Sequence, residues 1–196
     1  MTKRLINCGH SGLLFGHYLT RGKMSPLVEP GIGIHEGEFT RSIGERLLKL
    51  LPGSEMLTPG PLNVTQKTRR DNVNWLVKLE HEDILLLSIH SNAACNSGWQ
   101  EKASGARIFN RKKPIGNKNS YNRSVEAAKK IDQAFHNDLL PYPVRPRMEK
   151  NFSILKVNCA SVLIECGFHD NRIDAAYMAS ETGRDEIADM IASGVR

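Results

Sequence analysis

The stretch ILLLSIHSNAA, residues 84–94, decides how this chain is read: an unbroken apolar run ends abruptly in a histidine flanked by small hydrogen-bonding residues. Such a run is the pattern of a strand buried on both faces in the middle of a sheet. In an open α/β sheet, ligands and catalytic groups gather at the carboxyl ends of these strands, so His90 stands where chemistry is usually done. Two other segments share the design. RLINCGH, residues 4–10, ends a short first strand in His10, and ASVLIECGFHDN, residues 160–171, carries Glu165.

Between these strands the apolar spacing changes to that of helices. Phe39, Ile43 and Leu47 recur every four residues and predict a helix stopped by Pro52 and Gly53, after a Gly- and Pro-rich loop over 11–37. EMLTP, residues 55–59, reads as a short strand. Val73, Leu76 and Leu79 predict a second helix, between Asn63 and Glu80, leading into the 84–94 strand. This β-α-β-α-β order predicts an α/β fold, a mainly parallel twisted sheet with helices on both faces, in a single domain over 1–196. Further on, GARIF (105–109) reads as an edge strand. Val125, Ala128, Ile131, Phe135 and Leu139 mark a helix of about four turns, ended by Pro141, Pro143 and Pro146. Leu140–Lys150 reads as a basic loop. Asp170 or Asn171 can cap a short helix, and Ile187, Met190, Ile191 and Val195 put one face of a C-terminal helix on the core.

Bulk properties narrow the class. A chain of 196 residues needs neither disulfide nor metal to fold. Cys8, Cys95, Cys159 and Cys166 show no CxxC pair and read as reduced, so synthesis in a reducing cytoplasm is expected. The basic start MTKRLINCGH is followed by too few apolar residues for a signal peptide, and no stretch approaches the length of an integral membrane segment. The net charge of +6 is concentrated at 67–72, 111–118 and 145–150. It suits a polyanionic partner or simply solvated loops. Nucleic acid is disfavoured, because these clusters lack aromatic interleaving or a reading motif.

The chemistry-bearing residues are few. A hydrolytic zinc site commonly draws three ligands from His and Asp/Glu and leaves one position open. His10, Glu36 and His90 meet that count, although Glu38 competes with Glu36 on local features. Glu165 stands in an apolar strand, where a carboxylate must be paired, hydrogen-bonded or functional. A buried ion pair with Arg107 or Arg145 is the structural alternative to a raised pKa and proton transfer. Ser91 and Asn92 could orient His90 or cap the strand. Trp99 could line a cleft or plug the core edge. Cys166 should face away from Glu165, His169 reads as a solvent-side or capping residue, and His81 and His136 have no evident partner.

Taken in order, GH near the N-terminus, a Glu before a helix in HEGEFTRSI, then SIHSNAA, then VLIECGFHDN, the chain resembles the zinc-dependent N-acetylmuramoyl-L-alanine amidases. The likeness is to the single-domain phage or prophage endolysins, from about residue 4 to the C-terminus. The resemblance implies one zinc ion held by His10, Glu36 and His90, Glu165 as catalytic acid/base, and peptidoglycan as substrate, cut between the muramic lactyl group and the first stem-peptide residue. Glu36 is preferred over Glu38 because the pattern places the ligand three residues before an aromatic, followed by a small polar residue and a Lys or Arg, as in Phe39-Thr40-Arg41. SGLLFGHYL after His10 departs from the family's usual glycines and aspartate, leaving His17 and His35 unassigned. No extra segment of the kind that blocks some regulated relatives is present, so an open cleft is expected, in a monomer that reaches the wall after release. Two other readings stay open: a zinc carboxypeptidase or other peptide amidase, and a module that binds wall fragments without cutting them.

Overall fold

The computed structural model describes residues 3–80, 83–95, 98–115, 117–137 and 140–196. In chain order the elements are β1 (Lys3–Cys8), β2 (Leu13–Leu14), β3 (His17–Tyr18), α1 (Glu36–Leu50), β4 (Glu55–Met56), α2 (Gln66–Glu80) and β5 (Ile84–Asn92). They continue with β6 (Ala106–Asn110), α3 (Lys118–Asn137), β7 (Val144–Glu149), a 3-10 turn (Ser153–Leu155), β8 (Ala160–Phe168), α4 (Arg172–Ala179) and α5 (Glu181–Ser193). Six strands form one sheet in the order β4-β1-β5-β8-β6-β7, while β2 and β3 make a separate ribbon. The first four of that row are mutually parallel, β6 runs antiparallel to β8, and β7 runs parallel to β6. The predicted α/β class and mainly parallel sheet are what the chain adopts.

Strand alternation sorts the apolar side chains into two layers. Ile6, Leu85, Leu87, Ile89, Val162 and Ile164 belong to one cluster with Phe39, Ile43 and Leu47 of α1, Ile131 and Phe135 of α3, and Ile187 and Ile191 of α5. Leu5, Ile84, Leu86 and Leu163 belong to the other, with Val73 of α2 and Ile154 and Leu155. Each such side chain, buried in full, stabilises the fold by about 1.5–3 kcal/mol, which is why β5 has to be apolar on both faces. Asn171 caps α4 by accepting from the N–H groups of Ile173 and Asp174. The Asp170 carboxylate instead accepts from the N–H groups of Ala94 and Cys95 and ties the loop after β5 to the end of β8.

Four expectations are corrected. GARIF is an interior strand, because β7 pairs outside it. Val144–Glu149, read as part of a basic loop, is that outermost strand. Pro146 is tolerated there because an edge strand leaves one row of N–H positions without a partner. Leu79 is exposed, so α2 meets the core through Val73, with Leu76 only partly buried. The basic clusters are not uniformly solvated: Arg69 and Arg111 are buried, and Arg111 donates to the Val157 carbonyl. Leu139 and His81 lie outside the described residues. No disulfide joins the four cysteines, and among the described residues no helix is long and apolar enough to cross a membrane.

Candidate metal centre

Three elements converge at the carboxyl end of the sheet. β5 delivers His90, the turn leaving β1 delivers His10, and the first turn of α1 delivers Glu36. His10 Nε2 lies 3.3 Å from Glu36 Oε2, and His90 Nδ1 lies 3.1 Å from Glu36 Oε1. The rings of the two histidines stand edge to face at 5.6 Å. Among the described residues this is the one trio whose ligand atoms all fall within 4.8 Å of one another.

The arrangement depends on two close approaches that only glycine allows. A Cβ on Gly37 would come within 1.5 Å of the Ser11 carbonyl oxygen, and a Cβ on Gly9 within 2.6 Å of His90 Nδ1. Gly37 therefore lets α1 butt against the chain just past His10, and Gly9 lets the His90 ring lie over the end of β1. The choice between the two acidic candidates follows. Glu36 turns inward and is 1% exposed, whereas Glu38 accepts from the Leu13 N–H and fastens the β2–β3 ribbon.

His10 itself adopts φ 60°, in the left-handed region that costs a non-glycine residue about 1–2 kcal/mol. Its carbonyl accepts from Nη2 of both Arg41 and Arg69, each at 3.2 Å. Thr40 Oγ1 donates to the Gly9 carbonyl at 2.9 Å, and Arg69 also bonds Asn7 and the Cys8 carbonyl. The Thr-Arg pair of EGEFTR thus acquires a physical meaning: both side chains hold the β1 turn against α1.

Burial alone would raise the Glu36 pKa, but hydrogen bonds and charge from His10 and His90 overcome it and hold the carboxyl far below its usual range. Its Oε2 is buried with His10 Nε2 3.3 Å away but no well-formed hydrogen bond, while Oε1 faces His90 Nδ1. A buried carboxylate with an imidazole nitrogen against each oxygen is the donor set a divalent ion takes up. Ligands bound at 2.0–2.1 Å in a tetrahedron lie about 3.4 Å apart, close to the spacings found. The residues present therefore fit zinc.

Glu165 is the direct cross-strand partner of His90 and shares its face of the sheet. No ion pair to Arg107 or Arg145 forms. Glu165 Oε2 is shut off without a partner, and burial pushes the pKa up to about 7, with His90 opposing and Glu36 reinforcing the rise. Cys166 points to the opposite, buried face. On the β1 side of the centre lies a cleft of about 230 Å³ lined by His10, His90, Asn63, Thr65, Arg69 and Ile154.

His169, expected to be solvent-side or capping, is not solvent-side. It is 2% exposed, accepts or donates at 2.9 Å with Ser91 Oγ, and sits 4.0 Å from Glu36 Oε2. Ser91 does not touch the His90 ring; its N–H donates to Glu36 Oε1. Nor does Asn92, whose side chain accepts from the Ala93 N–H. Trp99 is half-buried under the Arg172 guanidinium, 4.8 Å from its ring centre, and lines a surface cleft with Arg145. His17 is exposed, and His35 stacks on Tyr18, whose hydroxyl accepts from the Gly37 N–H.

A family model described as N-acetylmuramoyl-L-alanine amidase matches residues 5–196. A protein named an uncharacterized cell wall amidase of Bacillus anthracis is 28% identical over 97% of this chain. The chain spans about a third of that relative's length (34%). Among solved structures, the N-acetylmuramoyl-L-alanine amidase of Clostridium difficile 630 superposes with a TM-score of 0.75 at 22% identity, covering 99% of this chain and 94% of that one. AmiC2 of Nostoc punctiforme gives 0.74 at 18% identity with the same coverage.

Proposed function

The chain belongs to the N-acetylmuramoyl-L-alanine amidase family, and from that premise we propose that it hydrolyses the amide joining the lactyl group of N-acetylmuramic acid to the L-alanine of the peptidoglycan stem peptide. In this reading His10, Glu36 and His90 hold one zinc ion and Glu165 is the general acid/base. The observation that carries it is the buried Glu36 carboxylate with His10 against one oxygen and His90 against the other, next to the unpartnered Oε2 of Glu165 on the neighbouring strand. When bound, zinc would lower the pKa of a water molecule from 15.7 to about 7 and polarise the substrate carbonyl.

The chain's own groups do the rest. Glu165, poised at about 7, accepts a proton from the attacking water and returns it to the alanine nitrogen as the C–N bond breaks. Glu36 stays ionised. Arg41, Arg69 and Thr40 keep the His10 turn in the conformation that aims its imidazole. The acyl side of the substrate belongs in the cleft beside α2, and the departing peptide on the Glu165 side. The biological reading is a monomeric endolysin of phage or prophage type, made in the host cytoplasm and acting on the wall after release. Its +6 charge favours attraction to anionic envelope polymers.

The test is digestion of purified peptidoglycan, following new alanine amino groups and intact stem peptides before chelation, after it, and after zinc is restored. Release that stops on chelation and returns with zinc is expected. Solubilisation without new alanine termini, or release indifferent to chelation, defeats the reading.

A further inference from the structure

Four residues lie in one line across four adjacent strands. His90 on β5 pairs with Glu165 on β8, Glu165 with Arg107 on β6, and Arg107 with Arg145 on β7. Directly paired residues project from the same face. The line therefore runs from the metal centre, through the proposed acid/base, to two arginines whose strands lie about 5 Å and about 10 Å from that of Glu165.

Arg107 is the informative one. It is half-buried, its Nε is enclosed with no partner, and its Nη1 donates to Met148 Sδ at 3.0 Å. A thioether is a weak acceptor. Among the described residues no carboxylate pairs with it, although partly buried arginines are normally compensated. Arg145, by contrast, is engaged with the Ser104 carbonyl and the Phe168 ring. Lys150, just past β7, adds positive charge that Glu165 feels. The far end of the sheet from the His10 cleft is thus cationic, and one of its cations lacks an anion.

Geometry says which part of a substrate meets it. Glu165 must stand beside the leaving nitrogen, the metal ligands lie over β1 and β5, and the peptide therefore departs across β6. One residue of extended chain covers about 3.3–3.6 Å, so the residue after the alanine arrives beside Arg107. We infer that Arg107 is a specificity residue that binds a free carboxylate on the second residue of the peptide, so that the enzyme prefers stems whose second residue is an acid over those in which it is amidated. The inference rests on the amidase reading and deepens it.

The experiment uses two N-acetylmuramoyl tripeptides that differ only in whether the α-carboxyl of the second residue is acid or carboxamide, both with the C-terminus blocked. The zinc-loaded full chain should cleave the acid with about tenfold higher kcat/KM, as a charge-assisted pair implies, mostly through KM. Arg107→Gln should bring the ratio close to one. Arg107→Lys, which keeps the charge but loses the planar fork, should fall between. Because the readout is a ratio within one preparation, partial misfolding cancels. Equal rates in the unmodified enzyme, or a ratio unchanged in Arg107→Gln, overturns the inference while leaving the amidase reading intact. If neither tripeptide is cut, calorimetry on Glu165→Gln decides: tighter binding of the acid that Arg107→Gln abolishes keeps Arg107 and sinks the amidase reading, and equal binding sinks both.

Discussion

The two strand ends that present imidazoles are built differently. At β5, His90 lies within a buried strand, paired in register with Glu165 just before the ladder shifts between His90 and Asn92, and the sheet itself aims it. At β1, His10 comes after the strand has ended, in a left-handed backbone conformation, and three side chains from two helices are needed to hold its turn: Thr40, Arg41 and Arg69. A ligand on regular structure inherits its precision from the ladder of backbone hydrogen bonds. One placed beyond it depends on distant polar groups, so damage should spread unequally to the two ends.

The sharpest intervention leaves both ends untouched. Glu165→Gln should lower kcat by about 10²–10⁴-fold while metal content, measured by atomic absorption after dialysis, stays at one equivalent. In the metal-free chain burial raises the Glu165 pKa to about 7, and a divalent cation beside it lowers that value, so the acid limb of kcat/KM in the zinc-loaded enzyme should lie below pH 7 and be lost in Glu165→Gln. An acid limb that survives unchanged in Glu165→Gln would remove Glu165 as the base. Next in size comes Gly37→Ala, whose methyl cannot share space with the Ser11 carbonyl. Pushing α1 away from the His10 turn should weaken zinc binding by about 100-fold, as read by competition with a chromophoric chelator.

Arg69→Met attacks the β1 end at a distance from the metal and should cost about tenfold in zinc affinity. Ser91→Ala attacks the β5 end. Since that hydroxyl reaches His169 and not the His90 ring, the loss should stay near 1 kcal/mol of stability, with metal affinity changed by less than about threefold, the loss being too remote from the ligand to matter more. Equal effects of these two substitutions would erase the distinction between the ends.

The smallest effect concerns stability. Because the native Glu165 pKa of about 7 lies above the ordinary 4.5, the metal-free native state holds an extra proton between those values. The contribution of Glu165 to stability is therefore fully present below about pH 4.5 and is lost as pH rises through about 7. Relative to the unmodified protein, Glu165→Gln should melt at a higher temperature at pH 8, and the difference should shrink toward pH 5.

What could be read from the sequence follows the same division. Residues set by regular periodicity were legible: the β5 run, the α1 stripe of Phe39, Ile43 and Leu47, and the histidine and glutamate that end or interrupt apolar strands. Contacts between segments were not. Arg69 falls in a basic cluster that reads as solvated charge, and Arg41 enters only through the family pattern, because nothing local announces that a guanidinium will be folded under a turn. His169 looked exposed because its partner, Ser91, is 78 residues away. β7 was hidden by Pro143, Pro146 and its charges, which weigh against a strand unless its outer row of hydrogen-bonding positions is known to be open. Glu36 and Glu38 could be ranked only by resemblance, since the physical arbiter is the contact between Gly37 and Ser11.

The placement of β7 also bears on how the protein behaves when crowded. A bare sheet margin is a template on which a second molecule can add its own strand. Here one margin is β4, only two residues long, and the other carries Pro146, which has no N–H to offer, among exposed and charged neighbours. Neither border provides a ladder on which copies could fuse, so high local concentrations of the folded chain do not by themselves seed fibrous aggregation.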